Sequence, residues 1–597
     1  MKELSLEEYK ALWKKSIDDP EGFWLPISRE LKWVREPSRA LSYISPSSYT
    51  WFPEGRINIA ENSLRWGDKI AITWYGEEEG PRKISYNQLK DMTLRIANGL
   101  RDLKSGDRVM IYMPMIPEAG AAMLASSWLG LVHSVVFSGF GVGALRTRIE
   151  DAKPSVIITS EYTVRRGKRI PLREIAEEAI KGTNVKLITL SRGSIPFERE
   201  NLEPYPSRSE DTLFILYTSG TTGKPKGVVH NVGSYSIWAY AHVKWLFNLQ
   251  EGAFLSTSDI GWINGHSYSL YGSLLNGGNV VWYEGAPDYP SYERLWDIME
   301  KEKVKFLWTA PTLVRLLMKN GEIKGSYDLK LKIAVTAGEL LGSDAYDWLV
   351  RNTNAEKVFE VWGQTENSGY IASSGGEILG LLPIKKGSVG LPLPSIDISV
   401  VDEEGNPLPP GKPGYVIVKS PSPAFMTTLW NDKERYLAYY NKFGYYNTGD
   451  FGYIDEDGYL YILGRSDDVI KVAGHRIGVA EVEESCHIPE VAEVAAVDVP
   501  DQVKGSRIVI YIVPKEGVKD VALLREKVKE NLRQRMGPIA DVKDVMVVSK
   551  LPHTRTGKVL RRLLREAYMG NISGDVSTIE DESALEEIKK AIKGDYS

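Results

Sequence analysis

The chain has 597 residues, of which 43% are hydrophobic and 26% are charged, and its formal net charge is −5. This composition is that of an ordinary folded protein and excludes a largely disordered one. The slightly negative charge gives no general attraction to nucleic acid or to an anionic membrane, so we expect neither as a partner.

The cysteine and histidine content limits the chemistry. Cys486 is the only cysteine, which excludes an internal disulfide framework and a cysteine-built metal cluster. We expect it to be a small apolar residue rather than an acyl-carrying nucleophile. The seven histidines show no metal-binding spacing. With a first segment, MKELSLEEYKALWKKS, that lacks an apolar signal core, these features favour a cytoplasmic protein.

The segment 119–145 carries no formally charged residue and is long enough to resemble a membrane span. It is rich in Ala, Ser and Gly, contains His133, and has no second segment like it. It therefore predicts a buried helix, a strand and a glycine-rich loop.

Runs that are apolar throughout, rather than alternating, predict strands buried on both faces and hence layered α/β subdomains. These runs are 107–114, 154–159, 185–190, 211–218, 279–283, 305–310, 332–338 and 357–363.

After about residue 385 the sequence pattern changes to Gly/Pro-rich turns between shorter apolar runs, which predicts a β-rich subdomain over 385–466. From about residue 468, further strands alternate with a helix near 521–535 and another from Lys558, enough for a small α+β domain. The fold class is therefore α/β with two domains, 1–466 and 467–597.

The stretch 217–227, YTSGTTGKPKG, concentrates hydroxyls, glycines and lysines. Such a stretch suits a phosphate cradle, because glycine lets backbone N–H groups turn toward an anion. It is not the GxxxxGK[ST] loop, since Lys224 is followed by Pro225. By itself it is equally compatible with a surface turn.

Four further motifs decide between these interpretations: VWGQTENSG (361–369), NTGD (447–450), GRSDDVIKVAGHRIG (464–478) and LPHTRTGKVLRR (551–562). In this order, the five motifs resemble those of the adenylate-forming superfamily. GWINGHSYSLYG (261–272) is similar to the acetyl-CoA synthetase branch of the AMP-forming acyl-CoA synthetases.

The resemblance implies a large N-terminal domain and a small mobile C-terminal domain joined by a hinge at Asp467. It implies a two-step reaction, in which a carboxylic acid and ATP give an acyl-adenylate and pyrophosphate, and CoA then displaces AMP. ATP, Mg²⁺ and CoA are the implied cofactors.

The resemblance also assigns the nucleotide site. A phosphate loop would be formed by Thr218, Ser219, Gly220, Thr221, Thr222 and Gly223, with Lys226 orienting it. Gln364 and Thr365 would contact the adenylate phosphate and Glu366 would bind Mg²⁺, while Asp450 and Arg465 would hold the ribose. Adenine would lie against Gly338, Glu339, Leu340, Glu360, Val361 and Trp362, with Glu360 replacing the usual Asp.

Lys558 resembles the catalytic lysine that spans the attacking carboxylate and the α-phosphate. A merely basic helix carrying Arg561, Arg562 and Arg565 is the alternative. In relatives this lysine is an acetylation target, which would make a lysine acetyltransferase and a deacetylase partners.

Other residues are assigned to the second step. Arg476 would move near the adenylate phosphate and Gly474 would line the pantetheine tunnel. The CoA 3′-phosphate would meet Arg165, Lys168 and Arg533, where Lys168 replaces an arginine of the branch.

The acid pocket is where the sequence departs most from an acetate enzyme. Ile263, Asn264, Ala337 and Gly363 stand where the branch has Val, Thr, Val and Trp. Ala337 and Gly363 are smaller than the Val and Trp of the branch, which predicts an acid longer than acetate, such as propionate or butyrate. Asn264 would receive a terminal hydroxyl, as in 3-hydroxypropionate or 4-hydroxybutyrate, or else bond to the backbone. Carrier-protein loading and a catalytically silent nucleotide sensor are the alternative functions.

Overall fold

The computed structural model describes residues 4–77, 79–218, 225–380, 382–466, 470–472, 475–477, 479–501, 505–536, 542–554, 557–570, 572, 579–581 and 583–593. The chain divides into two compact units. The N-terminal unit comprises Met1–Ile398 and Val418–Tyr446, and the C-terminal unit comprises Ser399–Ile417 and Asn447–Ser597. All 16 tryptophans belong to the N-terminal unit.

The helices, in chain order, are α1 (Leu6–Asp18), α2 (Pro20–Ser28), α3 (Ile59–Ser63), α4 (Tyr86–Leu100), α5 (Pro117–Trp128), α6 (Val142–Ala152), α7 (Leu172–Ala179), α8 (Val232–Leu246), α9 (Gly272–Leu275), α10 (Arg294–Lys301), α11 (Pro311–Met318), α12 (Ser343–Thr353), α13 (Lys433–Asn441), α14 (Val479–Ser485), α15 (Val521–Met536), α16 (Arg561–Tyr568) and α17 (Ser583–Lys593). A π-helix spans Gly265–Tyr271 and a 3-10 turn spans Thr365–Asn367.

The strands, in chain order, are β1 (Trp33–Arg35), β2 (Leu41–Ser45), β3 (Ser48–Trp51), β4 (Arg56–Ile57), β5 (Ile70–Tyr75), β6 (Arg82–Ser85), β7 (Arg108–Tyr112), β8 (Val132–Val135), β9 (Val156–Thr159), β10 (Thr163–Arg165), β11 (Lys168–Ile170), β12 (Lys186–Thr189), β13 (Ser207–Arg208), β14 (Thr212–Thr218), β15 (Lys226–Asn231), β16 (Phe254–Ser256), β17 (Val280–Tyr283), β18 (Phe306–Thr309), β19 (Ile333–Thr336), β20 (Lys357–Gln364), β21 (Gly369–Ser373), β22 (Leu391–Pro392), β23 (Ile398–Val401), β24 (Gly414–Val418), β25 (Thr428–Leu429), β26 (Tyr446–Ile454), β27 (Leu460–Arg465), β28 (Ile470–Val472), β29 (His475–Ile477), β30 (Val491–Asp501), β31 (Gly505–Pro514) and β32 (Val542–Val547).

Two large sheets organise the N-terminal unit, with strand orders β12-β9-β7-β8-β14-β15-β25 and β22-β21-β20-β19-β18-β16-β17-β5-β6. The strands from β12 to β14 run parallel, as do those from β20 to β5 in the second sheet. Every predicted apolar run forms one of these strands, and central ones such as β18 and β19 are buried along their whole length. The predicted layered α/β architecture is therefore confirmed.

The uncharged segment 119–145 is confirmed as a buried helix and strand. Every residue of α5 is buried, and β8 follows it inside the first sheet. Among the described residues, no helix is both long enough and apolar enough to cross a bilayer.

The C-terminal unit contains the sheets β23-β24-β26-β27 and β30-β31-β32. Alternate residues of β31 face opposite layers. Ile508, Ile510 and Ile512 pack with α14 and α15, while Val509 and Tyr511 pack with α16 and α17. The period-two alternation places helices on both faces, which confirms the predicted α+β domain.

The helix predicted to begin at Lys558 begins instead at Arg561. The Thr554 N–H donates to the Lys558 carbonyl (2.8 Å), and the Lys558 N–H donates to the Thr554 hydroxyl (3.1 Å). These bonds hold Lys558 in a turn that precedes the helix, because its N–H is taken by a side chain rather than by a helical carbonyl.

Cys486 lies in the apolar core of the C-terminal unit and is fully buried. Burial, with a smaller contribution from Glu483, raises the pKa of its thiol to about 12. We therefore expect no reaction with Ellman's reagent at pH 8 in the native protein, and one thiol per chain after unfolding in guanidinium. Stoichiometric labelling of the native protein would contradict this assignment.

Candidate active site

The β14–β15 hairpin carries the predicted phosphate loop between its strands. Its antiparallel register places Thr218 directly opposite Lys226, so the two ends of the loop are fixed. Ser219, Gly220, Thr221, Thr222 and Gly223 lie outside the described residues. The buried hydroxyl of Thr218 has no hydrogen-bond partner within the described part of the chain, as expected of a donor reserved for a ligand.

Lys226, Glu366 and Tyr439 form a buried cluster in the N-terminal unit. The Lys226 ammonium lies 2.5 Å from a Glu366 carboxylate oxygen, and the Tyr439 hydroxyl donates to the same oxygen at 2.7 Å. Burial of the carboxylate raises its pKa, but Lys226 and Tyr439 oppose this and lower it to about 2. Glu366 is therefore ionised at every physiological pH.

This carboxylate suits the implied Mg²⁺ ion. Mg²⁺ prefers oxygen ligands and is commonly held by one or two carboxylates together with substrate phosphates. Here a cation, the Lys226 ammonium, already contacts the oxygen of Glu366. The donor chemistry of the site therefore fits Mg²⁺.

Two stacked tyrosines hold the QTE motif. The rings of Tyr439 and Tyr446 lie 5.3 Å apart with an interplanar angle of 4°. The Tyr446 hydroxyl donates to the Gln364 side-chain oxygen at 3.0 Å, while Tyr439 donates to Glu366. Sequence reasoning missed both tyrosines. Tyr439 lies in a tyrosine-rich stretch, RYLAYY, and Tyr446 directly precedes NTGD, but neither pattern by itself indicates a contact with the QTE motif.

The backbone of the motif is held equally firmly. His230 Nε2 donates to the carbonyl of Thr365 at 2.7 Å, and burial lowers the pKa of His230 to about 4, so the ring is neutral. The Met426 N–H donates to the Glu366 carbonyl at 2.6 Å. His230 was also missed, although it lies in the strand that begins with Lys226.

The predicted adenine residues come together because β19 and β20 are parallel neighbours, with Thr336 opposite Glu360. Gly338, Glu339 and Leu340 lie in the loop after β19, and Val361 and Trp362 follow in β20. Both segments therefore meet at the same edge of the sheet.

Glu360 and Arg315 fix this loop. The Leu341 N–H donates to the Glu360 carboxylate at 2.7 Å, and Arg315 lies 2.5 Å from Glu339. Burial raises the pKa of Glu360 to about 7, against the opposing effects of Leu341 and Arg315. Arg315 also donates to the Leu340 carbonyl at 3.1 Å. Its role was not foreseen, because it lies on α11, outside every motif.

The four predicted acid-pocket residues follow or end parallel strands of one sheet. Ile263 and Asn264 are helical residues immediately before the π-helix, Ala337 follows β19, and Gly363 lies in β20. Ile263 is buried and Asn264 is partly buried. Within the described residues, the Asn264 side chain has no hydrogen-bond partner, so the expected bond to backbone is not formed.

Gly363 is sterically constrained. A Cβ at this position would lie 1.7 Å from the Gly369 carbonyl oxygen, where the β20–β21 register shifts between Trp362 and Gly363. The backbone of β21 therefore occupies part of the space that the missing indole was expected to leave open.

In the C-terminal unit, Asp450 pairs with Arg465 across β26 and β27. The guanidinium lies 3.2 Å from the carboxylate and also donates to the Thr448 carbonyl at 2.9 Å. Asp450, the residue predicted to bind ribose, is buried, so its carboxylate is held in one orientation. Arg533 is exposed on α15.

Lys558 is exposed, whereas the arginines of α16 are ion-paired. Arg561 binds Glu483 through two contacts, and Arg562 pairs with Glu566 at 2.8 Å. The alternative interpretation, a merely solvated basic face, therefore does not describe these arginines, because carboxylates pair with them. Arg476 lies in β29, but its side chain, together with Asp467 and Gly474, lies outside the described residues.

Comparisons with known proteins agree with this geometry. Residues 59–430 match the family model "AMP-binding enzyme", residues 481–558 match "AMP-binding enzyme C-terminal domain", and residues 9–63 match "Acetyl-coenzyme A synthetase N-terminus".

Two relatives extend over nearly the whole chain. Acetyl-coenzyme A synthetase of Pyrobaculum arsenaticum is 40% identical, covering 98% of this chain and 94% of its own. 3-Hydroxypropionyl-coenzyme A synthetase of Sulfurisphaera tokodaii is also 40% identical, covering 99% and 95%. Acetoacetyl-CoA synthetase from Streptomyces lividans shares the fold, with a TM-score of 0.88 at 23% identity over 98% and 94% of the two chains.

The lowered pKa of Glu366 makes the stability of the N-terminal unit depend on pH. Its contribution is complete above the ordinary pKa of 4.5 and is lost as the pH falls toward about 2. Between pH 6 and pH 3 we expect the wild type to lose about 2 kcal/mol more unfolding free energy than Glu366→Gln. Urea unfolding followed by tryptophan fluorescence reports this unit alone.

Lys226→Met is the matched control for this measurement. Without the ammonium, the pKa of Glu366 rises, and the extra loss between pH 6 and pH 3 should disappear. An identical pH dependence in the wild type and in both variants would contradict the pairing.

Proposed function

The chain belongs to the AMP-binding enzyme family, as an AMP-forming acyl-CoA synthetase that uses ATP, Mg²⁺ and CoA, and we propose that its acid is a short-chain carboxylate longer than acetate. Its favoured form carries a terminal hydroxyl, as in 3-hydroxypropionate. Propionate and butyrate are the corresponding unsubstituted acids.

Asn264 is the observation that carries this proposal. The Asn264 amide has no protein partner among the described residues and stays accessible to water, so it is available to hydrogen-bond a ligand. Its neighbour Ile263 is buried and apolar, and Ala337 offers little bulk. Apolar walls with one polar group suit a short aliphatic acid that ends in a hydroxyl. The Sulfurisphaera tokodaii relative, named for 3-hydroxypropionate, supports the same substrate.

The proposed chemistry proceeds in two steps. The acid's carboxylate oxygen attacks the α-phosphorus of ATP, the bond to pyrophosphate breaks, and an acyl-adenylate forms. The thiolate of CoA then attacks the acyl carbon, and AMP leaves with the electron pair of the broken C–O bond. Mg²⁺, when bound, supplies charge stabilisation at the phosphates.

The residues of this chain would have distinct roles. Glu366 would bind Mg²⁺, which requires Lys226 to release the carboxylate and turn to the phosphates. Thr365 and Gln364 would contact the adenylate phosphate from a turn that His230 and Tyr446 hold in place. The chain would hold adenine at Glu360 and its loop, and ribose at Asp450 and Arg465.

Lys558 would act in the first step only, with a rotation of the C-terminal domain about Asp467 bringing Gly474 and Arg476 to the site for the second. Acetylation of Lys558 by a lysine acetyltransferase, reversed by a deacetylase, would remove the charge needed for the first step.

A panel of acids tests the substrate. We expect a higher kcat/KM with 3-hydroxypropionate than with acetate or propionate. Asn264→Leu should lower kcat/KM for 3-hydroxypropionate about tenfold, the value of one hydrogen bond, while activity with propionate is kept. Propionate is the matched control because it differs only by the hydroxyl. A wild type that prefers acetate to every longer acid would refute the proposal.

The half-reactions test Lys558. Lys558→Ala should nearly abolish pyrophosphate exchange into ATP, yet still convert a supplied acyl-adenylate and CoA to acyl-CoA. Lys593→Ala, which alters another exposed lysine of the same unit, is the control and should leave both steps intact. Equal loss of both steps in Lys558→Ala would contradict the assignment of Lys558 to the first step alone.

A further inference from the structure

The β10–β11 hairpin brings two cations face to face. Its register places Arg165 directly opposite Lys168. The two turn residues between them, Arg166 and Gly167, have φ angles of 50° and 70°. Positive φ at both central residues is the signature of a type I′ turn, the tight connection that suits a twisted hairpin.

This arrangement is unfavourable by itself. Like charges directly opposite each other on a hairpin repel, and an isolated two-stranded hairpin is at best marginally stable in water. Arg166 moreover places a side chain in the left-handed region, which is uncommon for any residue other than glycine, asparagine or aspartate. Contacts from outside the hairpin must therefore hold it.

Glu77 supplies those contacts. It is 3% exposed, and its carboxylate accepts hydrogen bonds from the N–H groups of Arg166 (2.6 Å), Gly167 (2.7 Å) and Ala286 (2.8 Å). Both turn residues are thus bound by one buried anion. Charge-assisted hydrogen bonds of this kind are about twice as strong as neutral ones.

Two further acids complete the support. Glu284, also 3% exposed, accepts from the Thr163 hydroxyl at 3.1 Å and is neutralised by Arg192. Asp288 binds the Arg166 guanidinium through both oxygens, at 2.8 and 2.9 Å. Arg166 is therefore turned away from the anion-binding pair.

We propose that Glu77 is a positioning residue for the CoA site, which it serves by fixing the hairpin turn so that Arg165 and Lys168 remain opposed and bind one phosphate monoester between them. The phosphate is the 3′-phosphate of CoA, and this rests on the proposed assignment of both cations. A phosphate between the two side chains is attracted to both cations. Because the buried acid holds the hairpin before CoA arrives, less ordering is needed on binding.

CoA and dephospho-CoA, which lacks only the 3′-phosphate, are the probes. In Glu77→Gln an amide replaces one acceptor oxygen, so the hairpin turn loses a hydrogen bond. We expect the KM for CoA to rise about tenfold, equivalent to ~1.4 kcal/mol. The KM for dephospho-CoA and the rate of pyrophosphate exchange should stay at wild-type values. Glu77→Asp should restore part of the preference for CoA, and Glu79→Gln, an exposed neighbour, should change nothing.

Arg165→Ala separates the two ways in which the proposal can fail. If that variant keeps the full preference for CoA over dephospho-CoA, the hairpin does not bind the 3′-phosphate. The assignment of Arg165 and Lys168 to that phosphate is then wrong. If Arg165→Ala loses the preference but Glu77→Gln keeps it, Glu77 is not a positioning residue. Loss of pyrophosphate exchange in Glu77→Gln would show a general structural role and would also overturn the proposal.

Discussion

A carboxylate as deeply buried as that of Glu366 is stable only where cations and hydrogen-bond donors surround it, since an unpaired buried charge costs several kcal/mol. Much of the N-terminal unit around the QTE motif satisfies this requirement. β15 supplies Lys226, α13 supplies Tyr439, and the stacked Tyr446 extends the same support to Gln364. Three distant segments are thereby fixed relative to one anion, and the residue proposed to bind Mg²⁺ is ionised in advance.

Buried carboxylates also stabilise irregular backbone elsewhere in this unit. Glu77 binds the two turn residues of the β10–β11 hairpin, and Glu360 binds the loop that carries the proposed adenine residues. In each case a buried acid accepts N–H groups that no strand or helix can satisfy. Binding loops in this unit therefore gain their order from acids that lie outside them.

The sequence predicted much of this architecture, because short apolar runs without alternation are typical of strands buried on both faces. The five motifs also stand along the chain in the order typical of the family. It could not predict Tyr439, Tyr446, His230 or Arg315, whose roles arise from contacts between distant segments and leave no periodic signal. The start of α16 was misplaced because the hydroxyl of Thr554 competes for a backbone N–H. The sequence also could not show that Arg561 of α16 is ion-paired, because its partner Glu483 lies in α14, a distant segment.

The close approach of β21 to Gly363 limits how the proposed acid pocket can be altered by substitution. With the Gly369 carbonyl lying where a Cβ would stand, no single replacement at this position restores a side chain without moving a neighbouring strand. Any side chain introduced there meets the backbone of β21. Within the proposed acid pocket, single substitutions that leave the backbone in place are therefore confined to Ile263, Asn264 and Ala337.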